Sequence, residues 1–240
     1  MRRAAGIAAG LTATLGLVQP ALASTERAAT IRAANTPSTT LGGLDFNGYI
    51  GVPGAVSAVI VVPKLNCTGT PTAGSAIYAG VGIGSVNSYA RLYLGCTPQG
   101  AARYYASLVV NGTVKDMPGD AAQAGDTIQL EVSQSDSLTT ASVIDVTHKF
   151  VATGSGTGSG TGQGTTAGAY PVVSGSATSG VPNFGTLAFS GALINGYPFG
   201  SAGTGLQADD LSTNSAGPLQ IKTTYSAGAK EAFTIVFKHS

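Results

Sequence analysis

Residues 127–132 read Thr-Ile-Gln-Leu-Glu-Val, and this stretch shows the pattern that decides the fold class. Apolar residues occupy the even positions, and polar residues stand between them. Because successive side chains of a β-strand point to opposite faces, this alternation predicts a strand with one face buried. Gln129 and Glu131 are expected together on the exposed face.

About ten runs of strand-like sequence follow one another, separated by turns rich in Gly, Pro and Asn. Residues 55–62 are almost continuously apolar, which is typical of a central strand covered on both sides. Asn111-Gly112 lies between two runs and predicts a two-residue hairpin, because this pair readily adopts two positive φ angles. The chain is therefore predicted to be all-β, an antiparallel β-sandwich. The clearest runs are residues 46–52, 55–62, 76–83, 89–94, 103–110, 127–132, 141–146, 185–189, 220–225 and 232–237.

The charge content is low and nearly balanced. Charged residues make up 10 % of the chain, the formal net charge is +1, and hydrophobic residues account for 43 %. A nucleic-acid partner is not expected, because no cluster of Lys and Arg is present to neutralise phosphates. The apolar content is sufficient for a packed core.

The first residues have the features of a secretory signal peptide. Arg2 and Arg3 precede an apolar run at residues 4–18, which is too short to span a membrane. Ala21-Leu22-Ala23 then forms a small-x-small cleavage pattern, so residues 1–23 are predicted to be removed. We therefore expect a secreted, extracellular protein without a membrane anchor.

The rest of the chain is predicted to be a single domain. Residues 24–43 lack a sustained period and are expected to form a flexible N-terminal segment. Residues 44–240 are assigned to one β-sandwich domain, in which the Gly/Ser/Thr-rich tract at residues 153–168 forms a long loop. A linker between two domains is the alternative, but too few strands follow the tract to build a second sandwich.

The two cysteines, Cys67 and Cys96, are expected to pair in an oxidising compartment, with two buried thiols as the alternative. Together with the widely separated His148 and His239 they do not match a structural zinc spacing. No metal site and no cofactor are predicted.

Catalytic motifs are scarce. No Gly-x-Ser-x-Gly turn stands between a strand and a helix, and most acidic residues fall in turns. Glu131, beside Gln129, is the mid-strand carboxyl, and exposure on a solvated face is its simpler interpretation.

Tyrosines are candidates for a binding face, since each has an apolar ring and a polar tip. Packing between strands is the alternative. The binding candidates are Tyr78, Tyr93, Tyr105 and Tyr170.

The order of several segments resembles the glutamic peptidases, the eqolisin or scytalidoglutamic-peptidase-like family. The resemblance covers most of residues 45–240 and implies two large antiparallel sheets in a concanavalin-like jelly roll. It also implies a substrate groove and acid-pH endopeptidase activity, with a glutamate as general acid/base and a glutamine that stabilises the oxyanion. The matching segments are Phe46-Asn47-Gly48-Tyr49, Val56-Ser57-Ala58, Val62-Pro63, and residues 75–83, 124–130 and 181–189.

The resemblance places other residues at the two catalytic positions. Leu92-Tyr93-Leu94-Gly95 matches the family's Leu-Gln-Thr-Gly, so Tyr93 stands at the glutamine position. Gly168-Ala169-Tyr170 matches the family's Ala-Glu-aromatic segment, so Ala169 stands at the glutamate position. Because an alanine cannot transfer protons, we expect a catalytically inactive extracellular module that binds a peptide, protein or glycan through the groove.

Two alternatives remain open from the sequence. One is a secreted acid endopeptidase with relocated catalytic groups, for which Glu131 and Gln129 are the candidates. The other is a carbohydrate-binding β-sandwich, which rests on analogy between folds.

Overall fold

The computed structural model describes residues 36–68, 74–158, 160–174, 177–178, 180–201, 205–212, 218–225 and 231–239. The predicted signal peptide lies outside these residues. Within them the chain forms β-strands and two short 3-10 turns, at Gly84–Val86 and Phe199–Ser201, which confirms the all-β prediction.

The strands are β1 (Thr36–Ser38), β2 (Gly42–Tyr49), β3 (Gly54–Val61), β4 (Ala76–Ile83), β5 (Ser88–Cys96), β6 (Ala102–Val110), β7 (Thr113–Ala121), β8 (Thr127–Ser135), β9 (Leu138–Asp145), β10 (Val151–Thr157), β11 (Gln163–Pro171), β12 (Val173–Ser174), β13 (Ala177–Thr178), β14 (Thr186–Ile194), β15 (Tyr197–Pro198), β16 (Leu206–Ser212), β17 (Leu219–Tyr225) and β18 (Phe233–Phe237).

One continuous antiparallel sheet folds over on itself to make the sandwich. Its strand order is β10-β9-β8-β3-β14-β18-β17-β16-β2-β11-β4-β5-β6-β7. We call β10, β9, β8, β3, β14 and β18 the first half-sheet, and β16, β2, β11, β4, β5, β6 and β7 the second half-sheet. Strands β4 and β5 pack against β8, although they are far from it in the strand order. The two large layers of the predicted sandwich are thus present, joined through β17.

Strand alternation fills the core between the two half-sheets. Ile128, Leu130 and Val132 of β8 point inward and are buried. Leu92 and Leu94 of β5 do the same from the opposite layer. The residues between them on each strand therefore point away from the core.

The predicted Asn-Gly hairpin connects β6 and β7. Asn111 has φ of 50° and Gly112 has φ of 79°, so both turn residues adopt the left-handed conformation. This confirms the turn prediction and its physical reason.

The sheet begins earlier than the sequence indicated. Residues 24–43 were predicted to be a flexible segment, and residues 24–35 lie outside the described residues. Thr36–Ser38, however, pairs in parallel with Asp209, Asp210 and Leu211 of β16, and β2 already begins at Gly42. The described part of this segment is therefore a sheet component.

The Gly/Ser/Thr-rich tract at residues 153–168 is not one long loop, as the sequence had indicated. It contains most of β10 and the beginning of β11. A Cβ on Gly154 would lie 3.2 Å from Leu108 Cδ1, and one on Gly156 would lie 3.0 Å from Val110 Cγ1. The small residues therefore allow β10 to lie close against β6, a tertiary reason that the sequence pattern does not reveal.

Cys67 and Cys96 form the predicted disulfide, with a Cα–Cα distance of 5.4 Å. The bond ties the segment after β3 to the end of β5. In the described part of the chain, no helix is both long enough and apolar enough to cross a membrane.

Candidate functional site

The outward face of the second half-sheet carries most of the chain's tyrosines. Tyr89, Arg91 and Tyr93 alternate along β5 and point away from the core. The strand register places Tyr93 opposite Tyr78 of β4 on one side and opposite Tyr105 of β6 on the other. We call this surface the tyrosine–arginine face, and its members are Tyr78, Tyr89, Arg91, Tyr93, Tyr105 and Tyr170.

The rings on this face form two groups. Tyr93 stacks on Tyr105 with ring centroids 4.3 Å apart and planes 11° apart. Tyr78 meets Tyr93 edge-on at 5.7 Å. Tyr89 and Tyr170 make a second edge-on pair at 5.6 Å. These ring arrangements match the electrostatic preferences of aromatic pairs, so they hold the hydroxyl groups in defined positions.

Arg91 lies between the two groups. Its guanidinium carbon is 3.8 Å from the centroid of the Tyr78 ring and 5.8 Å from that of Tyr89. Nη2 donates a hydrogen bond to Ser107 Oγ at 3.1 Å, whereas the buried Nε has no hydrogen-bond partner. Across the described residues, no carboxylate lies within the 4.0 Å ion-pair distance of Arg91.

Burial changes the protonation behaviour of this face. Desolvation lowers the pKa of the Arg91 guanidinium, which nevertheless remains charged because arginine starts from so high a value. Desolvation also raises the pKa of Tyr78, Tyr93 and Tyr105, and the nearby charge of Asp116 raises each further. The three hydroxyls are therefore protonated donors at neutral pH.

A cavity of about 330 Å³ adjoins Tyr89 and Tyr170. Two carboxyl groups, Asp45 of β2 and Asp209 of β16, open into it, and Gln207 Nε2 donates to Asp209 Oδ1 at 2.6 Å. The lining residues are Ser38, Thr40, Leu41, Asp45, Tyr89, Thr166, Tyr170, Gln207 and Asp209.

Both carboxyls in this cavity hold their protons more tightly than usual. Burial raises the pKa of Asp45, and the charge of Asp209 raises it further. Burial also raises the pKa of Asp209, despite the hydrogen bond from Gln207. Two neighbouring carboxyls of this kind can divide into a protonated acid and an ionised base.

The two positions that the resemblance singled out do not share a surface. Tyr93 is on the tyrosine–arginine face, whereas the Ala169 side chain is completely buried in the core. The outward residues of β11 are Thr166, Gly168 and Tyr170, and none of them has a carboxyl group. Tyr170 is fixed instead by a hydrogen bond between its hydroxyl and Thr166 Oγ1.

Gln129 and Glu131 belong to the other side of the sandwich. Both are exposed on the outward face of β8, in the first half-sheet. Glu131 lines a cavity of about 350 Å³ with Ser133, Ser142 and Ser155. Because the core separates this cavity from the tyrosine–arginine face, these residues cannot act together with Tyr93.

The four predicted tyrosines do meet on one face, but several partners were missed. The odd positions 89, 91 and 93 gave a usable signal for Tyr89 and Arg91, since alternation places them beside Tyr93. Asp45, Gln207 and Asp209 had no such signal. They meet only because β2 pairs with β16, and that long-range pairing is not encoded in a local pattern.

One group of potential metal ligands lies elsewhere, at one end of the first half-sheet. It consists of Asp126, Asp145 and His148. The prediction of no metal site considered the two cysteines with His148 and His239, and the two aspartates of this group were not part of it.

No protein-family model matches this sequence, and no curated protein matches it either. Several solved structures, however, are similar to this chain. The chain aligns with scytalido-glutamic peptidase bound to a transition-state analog inhibitor, with a TM-score of 0.63 and 17 % identity, over 84 % of this chain and 99 % of that one. The chain has the glutamic-peptidase fold.

Two further glutamic-peptidase structures agree with this assignment. Scytalido-glutamic peptidase with a peptide-based transition-state analog gives a TM-score of 0.61 at 15 % identity, with coverage of 84 % and 99 %. SCP-B, a member of the eqolisin family in complex with the tripeptide Ala-Ile-His, gives 0.60 at 14 % identity with the same coverage. At such identities the similarity establishes the glutamic-peptidase fold and leaves the activity of this chain to its own residues.

Proposed function

We propose that this chain is an exported, non-hydrolytic binding protein whose tyrosine–arginine face holds an extended peptide segment bearing an acidic group. One observation carries the proposal. Arg91 keeps a desolvated guanidinium between tyrosine rings, where the charge of Asp116 acts on it but no carboxylate of the described residues lies within 4.0 Å, and its buried Nε has no acceptor.

An arginine in this condition favours an anionic ligand. Burying an unpaired charge is costly, and the attraction to the Tyr78 ring offsets only part of that cost. A ligand carboxylate would accept hydrogen bonds from the guanidinium and neutralise its charge. The free energy of this interaction is then available for binding.

The tyrosines supply the remaining contacts for a peptide. Stacked and edge-on rings present rigid apolar surface, and their hydroxyls donate to backbone carbonyls. Solved proteins with the same fold hold a peptide-based transition-state analog and the tripeptide Ala-Ile-His. These complexes support a peptide as the ligand class.

The absence of hydrolysis is inferred from the residues at the expected catalytic positions. Tyr93 stands where the family resemblance expects the glutamine, and Ala169, where it expects the glutamate, is buried in the core. The outward residues of β11 provide no carboxyl in place of that glutamate. Without a carboxyl on β11, the acid/base that the family resemblance implies is missing from this strand.

Export is supported by two features. The N-terminal sequence has the organisation of a signal peptide, and the only two cysteines of the chain are joined in a disulfide.

Matched peptide pools test the binding proposal. End-blocked octapeptides with a fixed central Glu are compared with the same pool carrying Gln, using calorimetry and identification of the retained peptides by mass spectrometry. We expect the Glu pool to bind at least about tenfold more tightly, and Arg91→Met to remove the preference. Arg103→Met is the matched control, because Arg103 is exposed at the edge of the face, 5.9 Å from the Tyr105 ring. Equal binding of both pools to the unmodified protein would contradict the proposal.

A second function, acid-pH peptide hydrolysis, is favoured by one specific observation. Asp45 and Asp209 open into one cavity beside Tyr89 and Tyr170, and burial raises the pKa of both carboxyls. A protonated and an ionised carboxyl in one cavity can act as general acid and general base on a bound peptide.

Digestion between about pH 2 and pH 5 separates the two functions. If the chain binds without cleaving, no new peptide termini form. If new termini form and disappear with Asp45→Asn or Asp209→Asn, hydrolysis is the function. Glu131→Gln is the control, since Glu131 is an exposed carboxyl on the opposite side of the sandwich. Loss of cleavage in this control alone would place the chemistry on the first half-sheet.

A further inference from the structure

Asp126, Asp145 and His148 converge where β8 begins and β9 ends, away from the tyrosine–arginine face. His148 Nδ1 is 3.0 Å from Asp126 Oδ1 and 3.7 Å from Asp145 Oδ2. The three potential ligand atoms all lie within 4.8 Å of one another. The three atoms are therefore close enough together to contact a single ion.

The backbone holds both carboxylates in this orientation. Asp126 Oδ2 accepts a hydrogen bond from Gln123 N at 2.6 Å. Asp145 Oδ1 accepts from Thr147 N at 2.8 Å and from His148 N at 2.9 Å. Each carboxylate thus has one oxygen fixed by the turn, which directs the other oxygen toward the imidazole.

The charges of this cluster are not balanced. Asp145 is 0 % exposed and Asp126 is 3 % exposed. The buried Asp145 Oδ2 has no hydrogen-bond partner, and within the described part of the chain no Lys or Arg nitrogen lies within 4.0 Å of either carboxylate. Two buried carboxyl groups therefore share one half-exposed imidazole, and a buried polar oxygen without a partner is costly.

We infer that Asp126 Oδ1, Asp145 Oδ2 and His148 Nδ1 form a binding site for a divalent transition-metal cation of the zinc class. Metal–ligand bonds of about 2.0–2.2 Å place tetrahedral ligand atoms about 3.3–3.6 Å apart. The two distances from Nδ1, 3.0 Å and 3.7 Å, require shifts of only a few tenths of an ångström. One imidazole nitrogen with two carboxylate oxygens suits zinc better than calcium, which takes six to eight oxygen ligands. The His148 side chain is 49 % exposed, so solvent can supply a fourth ligand.

The chain provides well-matched variants for a test. His148→Ala removes a half-exposed ligand, and Asp145→Asn removes the charge at Oδ2 but keeps an acceptor for Thr147 N and His148 N. His239→Ala is the control, because the chain has only two histidines. Circular dichroism confirms that each variant is folded.

Chelator-treated protein is titrated with ZnCl2 by calorimetry, and its Tm is measured with and without excess zinc. We expect one Zn²⁺ per chain and a Tm rise of several degrees in the unmodified protein and in His239→Ala. Both effects should be lost in His148→Ala. Asp145→Asn should bind Zn²⁺ at least about tenfold more weakly than the unmodified protein. An unmodified protein without zinc-dependent heat or Tm change would overturn the inference, and the hydrogen-bonded turn would then be the cluster's only role. Equal zinc binding by His148→Ala would overturn it as well, and so would a response to Ca²⁺ without one to Zn²⁺.

Discussion

Arg91 places its guanidinium carbon 3.8 Å from the centre of the Tyr78 ring, on the side of β5 that points away from the core. A cation over a tyrosine ring is a favourable contact, worth about 0.5–2 kcal/mol. It is nevertheless weaker than the solvation that the guanidinium gives up. This relationship leaves a positive group in place for a negatively charged ligand.

Replacement of Arg91 by methionine should separate stability from binding. Loss of the cation–π contact and relief of desolvation oppose each other, so we expect Arg91→Met to change the free energy of unfolding by less than about 1 kcal/mol. Binding of the acidic peptide pool should fall at least about tenfold. Urea unfolding and calorimetry measure the two quantities. A destabilisation above about 3 kcal/mol would instead identify Arg91 as a structural residue.

The stability of the chain should depend on pH through Asp45. Burial and the charge of Asp209 raise its folded pKa above the ordinary value of 3.8, so the fold favours the protonated carboxyl. This contribution to stability is complete below the unfolded pKa and is lost as the pH rises through the folded pKa. Asp45→Asn should therefore be more stable than the unmodified protein at pH 7, and the difference should vanish toward pH 3.

Urea midpoints measured across this pH range check the expectation for Asp45. Glu131→Gln serves as the control, because its carboxyl is exposed on the opposite side of the sandwich. An Asp45→Asn variant that is less stable at pH 7 would show that the ionised carboxyl stabilises the fold.

The disulfide should make a large contribution to stability. Cys67 and Cys96 are 29 residues apart, and on the loop-entropy relation such a cross-link contributes about 3–4 kcal/mol. The double variant Cys67→Ala/Cys96→Ala should lose about this amount in urea unfolding, and a reducing agent should then have no further effect on it. An unchanged urea midpoint would mean that the disulfide does not reduce the conformational entropy of the unfolded chain.

Gly168 is needed where β11 pairs with β2, opposite Gly43. A Cβ on Gly168 would collide with the carbonyl oxygen of Gly42 and lie 2.9 Å from Gly43 Cα. We expect Gly168→Ala to destabilise the chain by about 1–3 kcal/mol, because backbone atoms must move apart. Gly84→Ala is the matched control, since its Cβ would have its nearest contact at 3.4 Å, and it should change stability by less than about 0.5 kcal/mol. Equal losses in the two variants would contradict the proposed strand contact.

Features with a local cause were predictable from the sequence. The alternation at residues 127–132 placed Glu131 on an exposed face, and Asn111-Gly112 gave the hairpin with both φ angles positive. Alternation along β5 likewise puts Tyr89, Arg91 and Tyr93 on one side of that strand. In each case a few neighbouring residues determine the structure.

Features that depend on distant partners were not predictable. The Gly-rich β10 is a strand because small residues fit against Leu108 and Val110, and no periodicity marks it. Asp45 meets Asp209 only through the pairing of β2 with β16. The cluster at His148 similarly requires the register that pairs Asp145 with Ile128, two residues after Asp126.

The most direct test of the proposed binding face is a titration of ¹⁵N-labelled protein with an end-blocked Glu-containing peptide, followed by NMR. We predict that the largest shift changes occur at the backbone amides of β4, β5, β6 and β11, together with the Arg91 Nε–H signal, and that the matching Gln peptide causes much smaller changes. Changes confined to β8, β9 and β10 around Glu131, or an Arg91 signal that does not respond, would contradict the proposal.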